Sequence, residues 1–463
     1  MTSMTIEELQ LASGGKIAAA GSRSITAGLT TDSRAVVPGC IFLALCGERF
    51  DGNNFAADAS QQGAAAVVVS RLQGEYAADC TVIVVEDTLE ALQSIAKWWR
   101  GQLVPLHVVG LTGSSGKTST KDMTLAVLGQ KYRALATKGN LNNHIGVPLS
   151  ILSAPQGTEA AIWEMGMNHA GELAPLCEMV QPQIGIITTI GSAHLEYLGS
   201  RENIAQEKCT VARALPADGY MIYPATDDFA AMIAEQTAAT PLPVGGCDCA
   251  VRAANVRSTA LGSSYDLCID GWEPVRINLP VPGAHMVSNS LLAAAAGWKL
   301  GCTPAQIAAG LAQASLTHGR LACYEAEGCT VVDDTYNANP ESMKAALDTV
   351  AALRGPKRCI AVLGKMGELG QGGIAAHAEV GLHAASLGYA AVVVVGPSCP
   401  EIEALCQAAG EHVPTAQADT AAEAAALLRG LVQPGDAVLF KGSRSAGMER
   451  TMYELFPTLK PTK

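Results

Sequence analysis

The run Leu106–Gln130, LHVVGLTGSSGKTSTKDMTLAVLGQ, limits what this chain can fold into more than any other stretch. Its apolar opening does not alternate, so it predicts a strand buried on both faces. Gly113, Ser114, Ser115, Gly116, Lys117, Thr118 and Ser119 follow at once, and a helical pattern follows them. Glycines let backbone amides close around phosphate oxygens, and the helix start adds partial positive charge. Lys117 is placed to reach β- and γ-phosphates, and the Thr118 hydroxyl to reach Mg²⁺. The spacing departs from G-x-x-x-x-G-K-[ST]: Leu111 stands where the first glycine belongs, and Gly110 comes one residue early. The expected ligand is ATP, although the loop alone does not choose between ATP and GTP.

A chain of 463 residues exceeds a single core; at ~150 residues per domain the prior is about three domains. Apolar residues are 49% and charged residues 16%, which excludes global disorder. Aromatics are only 5%, and Ala, Val and Gly carry the apolar content, as suits helices packed closely on parallel strands. The net charge of −12 argues against nucleic-acid or anionic-membrane binding. The fourteen cysteines form no C-x-x-C pair and read as reduced thiols of a cytoplasmic protein. The N-terminus lacks a secretion-type apolar region, and no apolar run approaches the ~20 residues of a membrane span.

Three blocks are expected: 1–103, 104–316 and 317–463. The first carries strand-like runs at Gly39–Leu45 and Ala64–Val69 and a helix over 88–101, closed by Gly101 and Pro105. The second adds strands at Ala160–Met165 and Ile184–Ile190. The third alternates strands at Thr330–Val332, Cys359–Leu363, Ala390–Val395 and Ala437–Phe440 with helices over 341–353, 373–387, 401–409 and 420–431. That alternation predicts βαβ units and a parallel sheet.

Ligands of open α/β sheets bind beyond the carboxyl ends of strands, and polar clusters stand at such ends. Glu164 closes AAIW and suits Mg²⁺, as well as an ordinary strand-end acid. His194 follows the Ile184 strand and suits a metal or a phosphate. Ser200 is placed to cap a helix to about Leu215, on which Ile204, Lys208, Val211 and Leu215 share one stripe. A lysine there either snorkels or is desolvated into a neutral amine that can add CO₂, giving a carbamate ligand for a second Mg²⁺. Asn140, Asn142 and Asn143 form an amide cluster that suits sugar, peptide or phosphate groups, or a plain turn. Asp333–Pro340, DDTYNANP, offers carboxylates for ribose hydroxyls and amides for a base edge, and Pro340 opens a helix.

Together and in this order, these motifs resemble the Mur ligase superfamily over nearly the whole chain. TTDSR (30–34) and PGCIFLALCGERFDG (38–52) resemble the domain that holds a UDP-sugar precursor, which implies Ser33 and Arg34 near the UDP group. TGSSGKTS, KGNLNNHIGVP and EMGMNHAGE resemble the family's ATP loop, precursor segment and magnesium segment. HGR (318–320), DDTYNANPESM (333–343) and KGSRSAGME (441–449) resemble its C-terminal domain. That likeness puts Arg320, Asp334 and Asn337 toward the nucleotide, and Lys441, Ser443 and Arg444 toward an incoming dipeptide or domain closure. The family pattern is departed from at Lys365, where an acid usually follows the glycine; at Cys209-Thr210, where the lysine is usually followed by G-E; and at Asn53, often a histidine.

The resemblance implies an α/β fold of three domains, a central P-loop parallel-sheet ATPase domain among them and a Rossmann-like domain at the C-terminus. It implies a monomer in which ATP activates the carboxylate of UDP-N-acetylmuramoyl-tripeptide as an acyl phosphate. D-alanyl-D-alanine then takes that acyl group. Water must be excluded, so closure of the last block on the central one is expected. The alternative within the family, addition of a third amino acid to the dipeptide precursor, usually carries a D-N-P-R element that is missing here. A P-loop kinase or switch leaves DDTYNANP without a task. An NAD-binding protein needs G-x-G-x-x-G, whereas Gly364, Gly367 and Gly370 are spaced by two residues each. A noncatalytic scaffold would need neither Lys117 nor the strand-end acids.

Overall fold

The computed structural model describes residues 4–47, 50–259, 262–353 and 357–461. Glu48 and Arg49 of the PGCIFLALCGERFDG segment lie outside the described residues. Chain contacts divide the protein into two compact units. The first takes Met1–Gly110, Tyr132–Met167 and Gly171–Gln183; the second takes Leu111–Lys131, Asn168–Ala170 and Ile184–Lys463.

In the first unit, among the described residues, five strands lie in the order Lys16–Ala19, Thr81–Val84, Ala66–Val69, Ile41–Leu43 and Leu29–Thr30. Only the first pairing is antiparallel. Ala66–Val69 is buried throughout because helices cover both faces of a parallel sheet, which leaves no place for alternation. Asp87 caps the helix Thr88–Gln102 by accepting from the Leu89 and Glu90 amides, and Leu92, Ile95 and Trp99 form its buried stripe. Trp99 Nε1 donates to the Ala154 carbonyl at 2.9 Å. Beside it Arg100 is buried, donates to the Val180 carbonyl at 3.1 Å and lies 6.0 Å from the Trp163 ring. Ala134–Ala136 and Ala160–Glu164 pair in parallel in the same unit.

In the second unit, Ile184–Ile187, Tyr220–Pro224, Thr240–Val244 and Val251–Thr259 follow one another in parallel. Gly262–Ile269 and Val275–Leu279 then continue antiparallel. A further sheet, six strands among the described residues, runs Ala322–Ala326, Cys329–Asp334, Ala437–Lys441, Cys359–Gly364, Ala391–Val395, Thr415–Ala418. All but its first pairing are parallel. The helices Pro340–Leu353, Gly373–Ser386, Pro400–Gly410 and Ala421–Leu431 fall within a few residues of their predicted places. Thr415–Ala418 and the antiparallel run over 251–279 had no sequence expectation. The fourteen cysteines are thiols and not disulfides, and among the described residues no helix is long and apolar enough to cross a membrane.

Trp99 fills its site and answers a buried carbonyl. Trp99→Ala is therefore expected to cost about 3–5 kcal/mol of stability, and Trp99→Phe about 1–3 kcal/mol for the orphaned carbonyl. Denaturant unfolding followed by circular dichroism measures both, and a Phe variant as stable as wild type would refute the hydrogen-bond share.

Candidate active site

The strand His107–Thr112 delivers the chain to Gly113, and the helix Lys117–Leu128 begins four residues later. Gly113 has φ 152°, and a Cβ there would lie 1.9 Å from Thr188 Oγ1. Gly116, at φ 81°, is the N-cap, and a Cβ there would lie 2.6 Å from Asn289 Oδ1. Glycine is required at both places by conformation and by space. The neighbouring strand end ties the loop down. The Ser114 amide donates to the Thr189 carbonyl at 2.8 Å and the Ser115 amide to Thr189 Oγ1 at 3.1 Å. Thr188 Oγ1 donates to the Ser115 carbonyl at 2.5 Å, and the Gly191 amide donates to Ser114 Oγ at 2.9 Å. The first amides of the helix, from Lys117 through Ser119, have no acceptor within it, as at any helix start. The Lys117 ammonium donates to the Gly113 carbonyl at 2.6 Å.

The same unit brings residues 317–341 onto this loop. Arg320 Nη2 donates to Thr118 Oγ1 at 2.8 Å, and its guanidinium carbon lies 4.3 Å from the centre of the Tyr336 ring. Arg320 Nε is buried and meets no acceptor among the described residues. Asn339 Nδ2 donates to Ser115 Oγ at 2.8 Å. Glu341 accepts from the Ser192 amide at 3.0 Å and from its hydroxyl at 3.1 Å. Lys441 is buried; its ammonium donates to Asp334 Oδ2 at 2.6 Å and to the Asn337 carbonyl at 3.0 Å. Ser443 Oγ lies 3.1 Å from Ser445 Oγ, and the exposed Arg444 pairs with Glu449 at 3.2 Å.

His194 lies beyond the strand Ile184–Ile187 and has φ 67°. Its Nδ1 is 2.5 Å from Glu368 Oε2, and Glu368 also has positive φ. The His194 contact is the largest influence holding the Glu368 carboxyl below its ordinary value, and Lys117 adds to it. Ser200 caps the helix Arg201–Lys208 as expected. A junction at Cys209 separates it from Thr210–Arg213, so the predicted helix to Leu215 is two short ones. Lys208 is 1% exposed. Burial, and then the like charge of Lys117, hold its ammonium well below the ordinary lysine range. The desolvated reading therefore holds over the snorkelling one. Cys209 is buried beside it, and burial raises its thiol to about 11.

The remaining candidates belong to the first unit. Asp32 accepts from the Arg34 amide and holds its guanidinium through two bonds, at 2.9 and 2.8 Å. Those hydrogen bonds from Arg34 lower the Asp32 carboxyl to about 2. Ser33 opens the short 3₁₀ turn that this pair closes. Asn142 Nδ2 donates to the buried Glu164 at 2.8 Å, and the Asn142 amide donates to the Asn140 carbonyl at 2.8 Å. Asn143 Oδ1 accepts from the Gly146 amide at 2.8 Å, at the start of the helix Gly146–Leu152. At the family departures, Lys365 pairs with Glu401 at 2.9 Å. Asn53 is buried and donates to Ser70 Oγ at 2.9 Å.

Asn289, Glu368, Thr188 and Thr189 had not been singled out as site residues. Asn289 stands between Ser288 and Ser290, just before the run Leu291–Ala296 on the helix Ala284–Lys299, and a polar residue next to that run was its only signal. Among the described residues no three His, Cys, Asp or Glu side chains converge on one point.

Residues 26–100 match the family described as "Mur ligase family, catalytic domain", 111–297 "Mur ligase middle domain" and 319–444 "Mur ligase, glutamate ligase domain". The chain is 37% identical to UDP-N-acetylmuramoyl-tripeptide–D-alanyl-D-alanine ligase of Escherichia coli, over 98% of this chain and 99% of that one. It is 36% identical to the Bacillus subtilis ligase of the same name, over 94% of each. It superposes on MurF of Acinetobacter baumannii with a TM-score of 0.89, at 34% identity and 98% coverage of both chains. It also superposes on MurF ligase of Thermotoga maritima in complex with ADP with a TM-score of 0.82, at 28% identity, over 94% of this chain and 97% of that one.

A methyl group on Gly113 meets Thr188 Oγ1 and a backbone angle that alanine resists. Gly113→Ala is expected to weaken ATP binding by about 100-fold or more, the size of a 1 Å misplacement. Titration with a fluorescent ATP analogue reads it, and unchanged affinity would show that the loop tolerates a side chain there.

Proposed function

This chain belongs to the Mur ligase family and is an α/β protein of three domains, and we infer that it is the ATP-dependent ligase that joins D-alanyl-D-alanine to UDP-N-acetylmuramoyl-tripeptide. The product is UDP-N-acetylmuramoyl-pentapeptide for peptidoglycan synthesis. The observation that carries the substrate assignment is identity of 34–37% along nearly the whole chain to ligases of that name. Domain boundaries near residues 103 and 316, a monomeric state and a cytoplasmic place belong to the same proposal.

The terminal carboxylate of the tripeptide attacks the γ-phosphorus of ATP, the bond to the β-phosphate oxygen breaks, and ADP departs. Negative charge spreads over the transferring oxygens, and the Lys117 ammonium offsets it. Arg320 stacks on Tyr336 with its Nε donor unanswered, and a nucleotide phosphate oxygen is an acceptor of the right kind. Asp334, held by Lys441, and Asn337 are proposed to meet the nucleoside, and His194 beside Glu368 the transferring group. The uncharged amine of D-alanyl-D-alanine then attacks the acyl carbon, the C–O bond to phosphate breaks, and the amine loses its proton. Ser443 and Arg444 are proposed to bind this dipeptide. Ser33 and Arg34 are proposed to bind the UDP group, and Asn140, Asn142 and Asn143 the rest of the precursor.

Magnesium prefers oxygen ligands, and the residues present fit it. Thr118 offers a hydroxyl, and Glu164 a buried carboxylate already oriented by Asn142. Lys208, whose ammonium is disfavoured by burial, can as the free amine add CO₂ with loss of a proton and present carbamate oxygens. When bound, the metal neutralises phosphate charge.

Phosphate release from ATP is expected to need both UDP-N-acetylmuramoyl-tripeptide and D-alanyl-D-alanine. Release supported by a single amino acid on the dipeptide precursor would overturn the substrate assignment. Lys117→Ala is expected to lower turnover by about 100- to 1,000-fold, with UDP-precursor affinity, read by calorimetry, within a few-fold of wild type. Near-normal turnover in that variant would remove Lys117 from the chemistry.

A further inference from the structure

Asp122 lies on the helix Lys117–Leu128, one turn beyond Thr118 and on the same face. Its Oδ2 accepts two hydrogen bonds, from the Thr317 amide at 2.9 Å and the Thr317 hydroxyl at 2.9 Å. Its Oδ1 lies 3.0 Å from the ammonium of Lys121. The Asp122 side chain is 10% exposed and that of Lys121 is 3% exposed, so the group is built in rather than lying on the surface. Thr317 belongs to the segment that leaves the helix Pro304–Ala312 and enters the sheet at Ala322. Three residues after Thr317, Arg320 donates to Thr118 Oγ1 at 2.8 Å. Between the two attachments, Gly319 has φ 74°, and its carbonyl accepts from the Tyr336 amide at 3.1 Å. Tyr336 is the ring on which Arg320 stacks.

The segment 317–320 is thus fastened twice to one strip of the phosphate-loop helix: at Asp122 through its backbone, and at Thr118 through its guanidinium. We propose that Asp122 is a positioning residue for the ligation, acting through Thr317 to seat Arg320 beside the phosphate loop. It touches no substrate. An arginine side chain loses rotamer entropy when it is ordered; a fixed backbone three residues upstream reduces what must be ordered when the nucleotide binds. The proposal rests on the reading of Arg320 as a nucleotide contact, and it commits to the acceptor oxygen rather than the charge as the part that matters.

The test is steady-state ADP formation with both acceptor and precursor present, using Asp122→Ala, Asp122→Asn, Thr317→Val, Arg320→Ala and the Asp122→Ala/Arg320→Ala double variant. Asp122→Ala is expected to lower kcat by about 10- to 100-fold, the scale of a misplaced group. KM for D-alanyl-D-alanine should stay within about twofold, because Asp122 acts through the nucleotide contact and not on the dipeptide. Asp122→Asn keeps an acceptor and should recover most of kcat. In the Arg320→Ala background the Asp122→Ala change should shrink to about twofold or less, because the two act as one unit. Full, additive loss in that background would overturn the proposal, as would wild-type kcat in Asp122→Ala or an Asn variant no better than Ala. If Asp122→Ala does not fold by circular dichroism, the cycle is run with Thr317→Val, which removes one of the two bonds and should give a smaller loss that again vanishes without Arg320. A wild-type enzyme inactive on both substrates would count against the proposed function. An active wild type with additive variants would count against Asp122 alone.

Discussion

The site depends on how the turn from Gly113 to Gly116 is held open. A phosphate loop works only if its backbone stays curled when no phosphate is present, and curled backbone normally collapses onto its own polar groups. Here Thr188 and Thr189, at the end of the adjacent strand region, take up that demand. They bond the Ser114 and Ser115 amides and the Ser115 carbonyl. The arrangement also fixes the residue types: Thr188 Oγ1 occupies the place that any Cβ on residue 113 would need.

Charge is distributed by the same logic. Lys117 bonds the Gly113 carbonyl, and its positive charge is felt at Lys208 and at Glu368. A buried lysine near a second cation cannot easily stay protonated. Burial and Lys117 therefore shift Lys208 toward the neutral amine, which is a nucleophile toward CO₂. Glu368 supplies a carboxylate beside His194. Its position in the GKMGELG segment, five residues before the helix Gly373–Ser386 opens, places an acid at this site although Lys365 itself turns to Glu401.

What could be read in the sequence follows from how local the cause is. The strand, glycines and helix at 107–128 are set by neighbours in the chain, and their order alone announced a phosphate site. Lys208 was legible because an apolar stripe at helical spacing reports burial. Asp334 and Lys441 were named for separate partners, and only folding shows that they bind each other across adjacent parallel strands. Asn289 and Glu368 gave little signal, since each acts through a residue more than a hundred positions away. The antiparallel strands over 251–279 were missed although Tyr265, Leu267 and Ile269 alternate with Asp266 and Cys268 at the period of two that a half-buried strand shows. The junction at Cys209 was missed because nothing in EKCTVA breaks a helix by composition.

An acyl phosphate in water hydrolyses, so a ligase must assemble its site around the nucleotide and not merely bind it. Arg320 to Thr118, Asn339 to Ser115, Glu341 to Ser192 and Glu368 to His194 all join residues beyond 317 to the loop region of the same unit. Two of these occupy groups that a nucleotide or its metal would also use: the Thr118 hydroxyl, and the Ser115 hydroxyl at the lip of the loop. Exchanging those bonds for phosphate contacts keeps the donors satisfied throughout. The cost of leaving a buried donor unpaired, about 1–3 kcal/mol each, is then never incurred between the empty and the loaded states. Arg320 Nε, buried and without an acceptor among the described residues, gains a partner when the ligand brings a phosphate oxygen.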